Sequence, residues 1–174
     1  MAGTFESRDL TAWAKETILT LFNNSNIGGT FTPTIPTATT LLSNNSTSNI
    51  IISELKDLSG DAETIVTRGK RKHVCDFTFF LLWALHIQAA PTIDSDPSST
   101  TPAAVAAAPI VIEASLLIQD LSADGDYDTT FTLITPRNKV SGQNYDLYEK
   151  SKKKLLLRVK HTVALFLEQL KAKV

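Results

Sequence analysis

The densest group of side chains that could do chemistry in this sequence is a short basic run between two strand-like segments. Five consecutive residues place four cations around one glycine: Arg68, Gly69, Lys70, Arg71 and Lys72. A glycine among polar residues is typical of a tight turn, so we expect the run at the tip of a β-hairpin. Guanidinium and ammonium groups held there could bind carboxylates or phosphates. The competing interpretation is a plain solvated turn.

A second basic run, from Lys150 to Lys154, offers the same chemistry on a different element. Its lysines fall in the first turns of a predicted amphipathic helix, Tyr148–Lys173. Lysines at a helix N-terminus oppose the helix dipole, at a cost of about 0.3 kcal/mol or more each. That cost favours a compensating partner. We therefore predict that Lys152, Lys153 and Lys154 contact an acidic protein surface.

The sequence does not indicate a catalytic or metal-binding pattern. His86 and His161 lie in apolar segments, so core or boundary positions are favoured for both, and Cys75 shares the apolar side of a strand. The glycine–lysine pair of the basic run lacks the other residues of a phosphate-binding loop. The aspartates around Asp124 lack the spacing and the closing glutamate of a calcium loop. We therefore expect no enzyme activity, no metal and no cofactor.

Composition and charge restrict the class of protein. The chain has 174 residues, 43% of them hydrophobic, and a net charge of −1, which suits one globular domain spanning 1–174. The near-zero total conceals an acidic body up to residue 136 and a basic end from residue 137. A single cysteine, no signal-peptide pattern and no membrane-length apolar run together predict a cytoplasmic protein that is monomeric alone and binds no membrane.

The elements that must position these residues follow from the spacing of apolar side chains. Alternation from Cys75 to Ile87 predicts a strand with one continuous apolar face. Polar segments at 23–48 and 89–109 are expected to be flexible loop insertions. The strands succeed one another without intervening helices, which favours an α+β fold with a four-stranded antiparallel meander. The remaining predicted elements are a helix at Leu10–Phe22, strand segments Asn49–Leu55 and Asp61–Thr67 with a turn or bulge at 57–60 between them, strands Ile110–Ile118 and Asp126–Ile134, and a long C-terminal helix packed on the sheet.

The order of short motifs resembles the N-terminal domain of the activators of the 90-kDa heat shock protein ATPase, the Aha-type co-chaperones. Arg8-Asp9, Trp13 and Leu21-Phe22 resemble that family's opening helix. Ile52–Leu55 with Gly60-Asp61-Ala62, and then Thr67–Lys70, resemble its V-S-x-L-x-G-D/E-A/C and R-K-G-K stretches. The chain departs from the family at its N-terminus, which lacks the tryptophan-rich signature, and at Thr67, which replaces the first arginine. The second domain of two-domain members has no counterpart.

The resemblance implies a co-chaperone with roles in protein folding and the stress response. It implies binding to the middle domain of the 90-kDa chaperone and stimulation of its ATPase. Arg68, Gly69 and Lys70 map to the basic motif, and Asp61 and Asp76 are weaker candidates for the same interface. The alternative is a nucleic-acid-binding module that uses the basic turn 68–72 and the lysine-rich helix start. We expect no nucleic-acid partner, because the aromatic residues that could stack on bases fall on the predicted core face.

Overall fold

The computed structural model describes residues 5–23, 30–31, 47–88 and 109–173 of the chain. An α+β fold is confirmed, and the described residues form six strands in one antiparallel sheet and two α-helices. The elements are β1 (Phe5–Asp9), α1 (Thr11–Asn23), β2 (Thr30–Phe31), β3 (Thr47–Thr67), β4 (Lys70–Gln88), β5 (Ile110–Ser122), β6 (Asp128–Leu133), a 3₁₀ turn (Arg137–Lys139) and α2 (Gly142–Ala172). Most of the predicted loop insertions 23–48 and 89–109 lies outside the described residues, and the described parts of the first are the end of α1, β2 and the start of β3.

Strand β4 forms the centre of the core, as its alternating pattern predicts. Its odd-numbered residues from Cys75 to Ile87 are all buried. The even-numbered residues from Val74 to Leu82 are exposed or half-buried, because successive side chains of a strand point to opposite faces. The apolar alternation in the sequence therefore determined which face of the sheet the helices cover.

The four predicted strands are present as the meander β3-β4-β5-β6, and the predicted irregularity in β3 is confirmed as a bulge. The pairing of β3 with β4 shifts register between Lys56 and Ser59, and again between Ile52 and Glu54. A third shift lies on β5, opposite Phe77 and Phe79. Two of the three shifts lie next to Thr78 of β4, one on β3 and the other on β5. The Thr78 hydroxyl accepts a hydrogen bond from the Asp120 amide of β5 at 3.3 Å. Bulges of this kind bend and twist a sheet.

The predicted sheet lacked two strands, β1 and β2. Strand β1 pairs antiparallel with the end of β3, from Phe5 opposite Thr67 to Asp9 opposite Glu63. Its residues are mostly polar and show no apolar alternation, so hydrophobic spacing could not reveal it. Backbone hydrogen bonds to β3 define it instead, and the Ser7 hydroxyl adds a bond to the Glu63 carboxylate.

Both helices pack on the same face of the sheet. In α1, Phe22 contacts Phe79 edge to face, with ring centroids 5.3 Å apart. In α2, Tyr148 stacks on Trp83 at 5.5 Å and Phe166 contacts Phe77 at 6.1 Å, so the helix runs along the apolar face of β4 from Trp83 to Phe77. Helix α2 begins at Gly142, six residues before the predicted start. The expectation that Lys150–Lys154 lies at a helix N-terminus is therefore wrong.

Candidate partner-binding site

The basic run forms the tip of the β3–β4 hairpin, as the sequence predicts. Thr67 pairs with Lys70, which leaves Arg68 and Gly69 as a two-residue loop. Both loop residues have positive φ, 51° at Arg68 and 75° at Gly69. That combination defines the type I′ turn that matches the twist of an antiparallel hairpin. Asn-Gly is the usual pair in such a turn, because asparagine tolerates the left-handed region better than other residues with a side chain.

The β3–β4 hairpin extends beyond β5 and β6, and β1 pairs with its base. Pairing between β4 and β5 ends at Asp76 and Ser122, so β4 continues for six more residues, or about 20 Å, toward the tip. Along this length β1 flanks β3 on the other side. The tip therefore sits on a three-stranded extension of the sheet rather than on a mobile loop.

The side chains of this extension divide between the two faces of the sheet. Lys72, Val74 and Asp76 follow one another on the face away from the helices, and all three are exposed. Asp61 lies directly opposite Asp76 in the register and is also exposed. Both carboxylates thus share one surface with Val74, which is 38% exposed. An exposed valine between a lysine and two aspartates gives a mixed-charge contact surface next to the basic tip.

On the helix-facing side the base of the hairpin carries His73 and Arg71. The His73 Nδ1 lies 2.8 Å from the hydroxyl of Thr64, its register partner on β3. Partial burial lowers the pKa of His73, and the positive charges of Arg71 and Lys171 lower it further. Because Lys171 lies in the last turn of α2, the C-terminal end of that helix reaches the hairpin base.

The predicted helix lysines lie in a different part of the molecule from the hairpin tip. Lys152 forms a salt bridge to Glu149 at 3.0 Å, and its ammonium group sits 5.2 Å from the centroid of the Phe131 ring. The Lys152 ammonium group also lies near Tyr148, which stacks on Trp83. Trp83 is thirteen residues from Lys70, which corresponds to about 40 Å along β4. Lys153 is exposed and lines a groove beside β6. The structure therefore does not join the two basic runs into one surface.

The three groups that could have indicated catalysis, Cys75, His86 and His161, differ in their exposure to solvent. Burial raises the pKa of the Cys75 thiol to about 11, and nearby aspartates contribute to the shift. Its Sγ lies 3.6 Å from the Leu121 carbonyl oxygen, inside the core. His86 is half-buried, which agrees with the expected core or boundary position, whereas His161 is exposed on α2, so the expectation for it is wrong. Within the described ranges, no three His, Cys, Asp or Glu side chains converge as metal ligands.

Neither helix of the described chain is long and apolar enough to cross a membrane.

Comparison with known families decides what kind of protein this is. Residues 7–174 match the family described as "Activator of Hsp90 ATPase, N-terminal". The chain belongs to this family. Membership extends over nearly the whole sequence, including both helices and every described strand apart from the first residues of β1. The resemblance read from the short motifs is therefore confirmed, and the chain is a member of a family of activators of a partner ATPase.

A solved structure agrees with this assignment at the level of the fold. The chain is similar to Aha-1 from Plasmodium falciparum, with 15% sequence identity and a TM-score of 0.54. The alignment covers 96% of this chain and 91% of that protein. A search of the curated proteins gave no match. At this level of identity, the similarity to the Plasmodium protein concerns the arrangement of strands and helices.

Sequence reasoning missed two features near the predicted site. The face formed by Lys72, Val74 and Asp76 was visible as alternation but was not recognised as a surface. The groove beside β6 was also missed, although an exposed leucine between lysines at helical spacing, Lys153, Leu157 and Lys160, was present in the sequence. The sequence alone could not reveal this groove, because the side of α2 that is exposed to solvent is known only from the structure.

Proposed function

We propose that this protein binds the middle domain of the 90-kDa heat shock protein and raises the rate of its ATPase. The contact surface is the tip of the β3–β4 hairpin together with the hairpin face that points away from the helices. Family membership supports the partner and the activity in general terms. Arg68, Gly69 and Lys70 occupy the positions of the family's basic motif, and Asp61 lies on the adjoining face. The single buried cysteine suits the reducing cytoplasm in which such a co-chaperone would act.

The observation that carries this proposal is the conformation of Arg68. It holds φ at 51° in a turn that asparagine or glycine would form at lower energy. A residue with a Cβ pays about 1–2 kcal/mol in the left-handed region. An arginine held at that cost, exposed at the tip, supports a role of its guanidinium in binding a partner rather than in stabilising the fold.

Activation is best described as a shift in the populations of the chaperone. The middle domain would offer carboxylates or backbone carbonyls to Arg68 and Lys70, and Val74 would supply apolar contact beside the charged residues. If the protein binds the ATP-competent arrangement tenfold more tightly than the inactive one, it favours that arrangement by about 1.4 kcal/mol. Catalysis itself stays with the chaperone, so the activator needs no catalytic residues of its own.

The nucleic-acid alternative is disfavoured by the positions of the aromatic rings. Phe77, Phe79 and Trp83 are at most 1% exposed, so none can stack on a base. Single-strand binding relies on aromatic side chains that are open to solvent beside basic residues. The exposed hairpin cations lie instead beside two carboxylates, which would repel a phosphate backbone.

The test is a chaperone ATPase assay with the double variant Arg68→Asn/Lys70→Gln. We expect the wild-type protein to stimulate turnover and the variant to stimulate it at least about fivefold less, since each lost charged contact costs about 1 kcal/mol. The variant should unfold no earlier than wild type, because asparagine suits the turn. Arg68→Asn alone should raise the free energy of unfolding by up to about 1 kcal/mol.

The matched control is Lys139→Gln/Lys150→Gln, which removes two exposed charges away from the hairpin and should leave stimulation unchanged. Absence of stimulation by wild type, together with absence of binding to the isolated middle domain in calorimetry at low salt, would refute the proposal. An equal loss of stimulation in the control would show that the hairpin cations are not specifically required.

A further inference from the structure

An open groove lies between α2 and the turn that joins β5 to β6, on the helix side of the sheet. Its volume is about 620 Å³. The β5–β6 turn and β6 form one wall, and the exposed side of α2 forms the other. Its lining residues are Asp126, Tyr127, Thr129, Lys153, Leu157 and Lys160, with Gly125 and Leu156 completing it. None of them belongs to the hairpin surface proposed above.

The helix wall of this groove presents an apolar side chain between two cations. Leu157 is 70% exposed, the highest value among the exposed large hydrophobic residues of the described chain. Lys153 precedes it by four residues and Lys160 follows it by three, so all three share one side of the helix. The lysines lie about 10 Å apart along the helix axis. Within the described residues, neither has a carboxylate within salt-bridge distance.

The opposite wall is the edge of the sheet. Strand β6 pairs with β5 on one side and has no strand on its other side in the described part of the chain. Between Thr129 and Leu133 it carries neither lysine nor proline, the residues by which natural proteins commonly protect a strand edge. An edge of this kind can accept an added strand through backbone hydrogen bonds.

We propose that this groove binds an extended acidic segment of a partner protein, added as a strand along β6. Alternate side chains of an added strand point toward α2, so the segment would place an acidic, an apolar and an acidic residue at every second position. The two acidic residues pair with Lys153 and Lys160, and the apolar residue covers Leu157. Residues i and i+4 of a strand are about 13 Å apart, a separation that two flexible lysine side chains span from their 10 Å spacing.

Asp126 adds a feature that tests the electrostatic part of this proposal. It is an exposed carboxylate in the lining, on the turn that closes one end of the groove. An acidic segment is repelled by it, whereas a basic segment would be attracted. Replacement of this charge therefore distinguishes the two kinds of partner by the sign of its effect.

The experiment uses the full chain and a fluorescein-labelled peptide with glutamate, leucine and glutamate at alternate central positions and threonine between them. We expect saturable binding by fluorescence anisotropy at low salt, and slower hydrogen exchange of β6 amides in the complex. Lys153→Gln/Lys160→Gln should weaken binding at least about fivefold, and Leu157→Ser by a similar factor. Asp126→Asn should strengthen it about twofold. All four positions are exposed, so the variants should fold.

The control is Lys70→Gln/Lys72→Gln, which removes two charges from the hairpin and should leave peptide binding unchanged. Because that variant impairs only the hairpin surface, failure of the groove and failure of the proposed chaperone contact are separate results. Equal binding of a peptide with lysine in place of glutamate, or equal weakening by the hairpin control, would overturn the proposal. So would a concentration-dependent dimer that protects β6 in the absence of peptide, since a second copy would then occupy the groove.

Discussion

At the residue scale, the two glycines of the hairpin region have different physical roles. Gly60 combines φ of 119° with a very close approach to β4: a Cβ built there would lie 1.9 Å from the Asp76 carbonyl oxygen. Gly69 also has positive φ, 75°, but a Cβ there would meet no atom within 4 Å. Gly60 therefore permits close packing of β3 on β4 beside Asp61, whereas Gly69 only permits the turn.

We predict that Gly60→Ala lowers the free energy of unfolding by about 3 kcal/mol or more, from the backbone clash and the disfavoured φ together. Gly69→Ala should cost only about 1 kcal/mol, because the conformational penalty acts alone. Urea denaturation of both variants measures the difference. Equal destabilisation would show that the close approach at Gly60 relaxes without cost.

At the scale of elements, the base of the hairpin joins β3, β4 and the end of α2 around one titratable group. His73 contacts Thr64 of β3 and lies in the field of Arg71 on its own strand and Lys171 on α2. The two cations disfavour a further positive charge on the ring. Partial burial acts in the same direction, so the folded protein holds a proton on His73 less readily than the unfolded chain does.

This difference predicts a pH-dependent stability. Because the pKa of His73 is lower in the folded state than its ordinary value of 6.5, the unfolded chain takes up more protons in the window below 6.5. The stability contribution of neutral His73 is therefore present above pH 6.5 and is lost as the pH falls through the folded-state pKa. Thermal unfolding between pH 7.5 and 5 should show a larger decrease for wild type than for His73→Gln. Parallel curves for the two proteins would contradict it.

The loss of stability at more acidic pH comes from carboxylates rather than from His73. A hydrogen bond from Lys152 is the main cause that lowers the pKa of Glu149, and hydrogen bonds from Thr11 lower that of Asp9. For these carboxylates, stability is lost as the pH falls further, through their depressed folded-state pKa values. Comparison of wild type with His73→Gln isolates the histidine, because both proteins share these carboxylates.

At the scale of the whole molecule, Phe166 connects the two helices and the sheet. Its ring contacts Trp13 of α1 at 6.4 Å and Phe77 of β4 at 6.1 Å, and the residue is completely buried. Helix α2 thus holds α1 and the sheet together at one point of the core. The hairpin extension begins next to Phe77, so its orientation relative to the rest of the molecule depends on this packing.

We predict that Phe166→Ala lowers the free energy of unfolding by about 3–5 kcal/mol, through lost burial and a residual cavity. The neighbouring Leu165, which is 36% exposed, provides the control. Leu165→Ala should cost less than about 1 kcal/mol. Chemical denaturation followed by both circular dichroism and tryptophan fluorescence makes the comparison. A small effect of Phe166→Ala would mean that the helices and the sheet are stabilised independently.

The sequence by itself determined the elements whose stability comes from apolar periodicity and local turn chemistry. The alternation from Cys75 to Ile87 defined β4 and its buried face, and the glycine in the basic run defined the hairpin tip. The bulge near Gly60 was also readable, because glycine and aspartate interrupt the apolar pattern of β3. In each case the physical cause lies within a few residues of the feature.

Only the tertiary structure decided the features that depend on contacts between distant parts of the chain. Strand β1 exists because its backbone pairs with residues almost sixty positions later, and no local pattern encodes such a pairing. Helix α2 begins with a polar first turn that apolar spacing does not reveal, and Tyr145 of that turn packs against Tyr148, which stacks on Trp83 of the sheet. The sequence placed the two basic runs on different elements without defining the distance between them, and the length of β4 separates them in the structure. Charge is read along the chain, but a binding surface is defined by which face and which end of the fold each charge occupies.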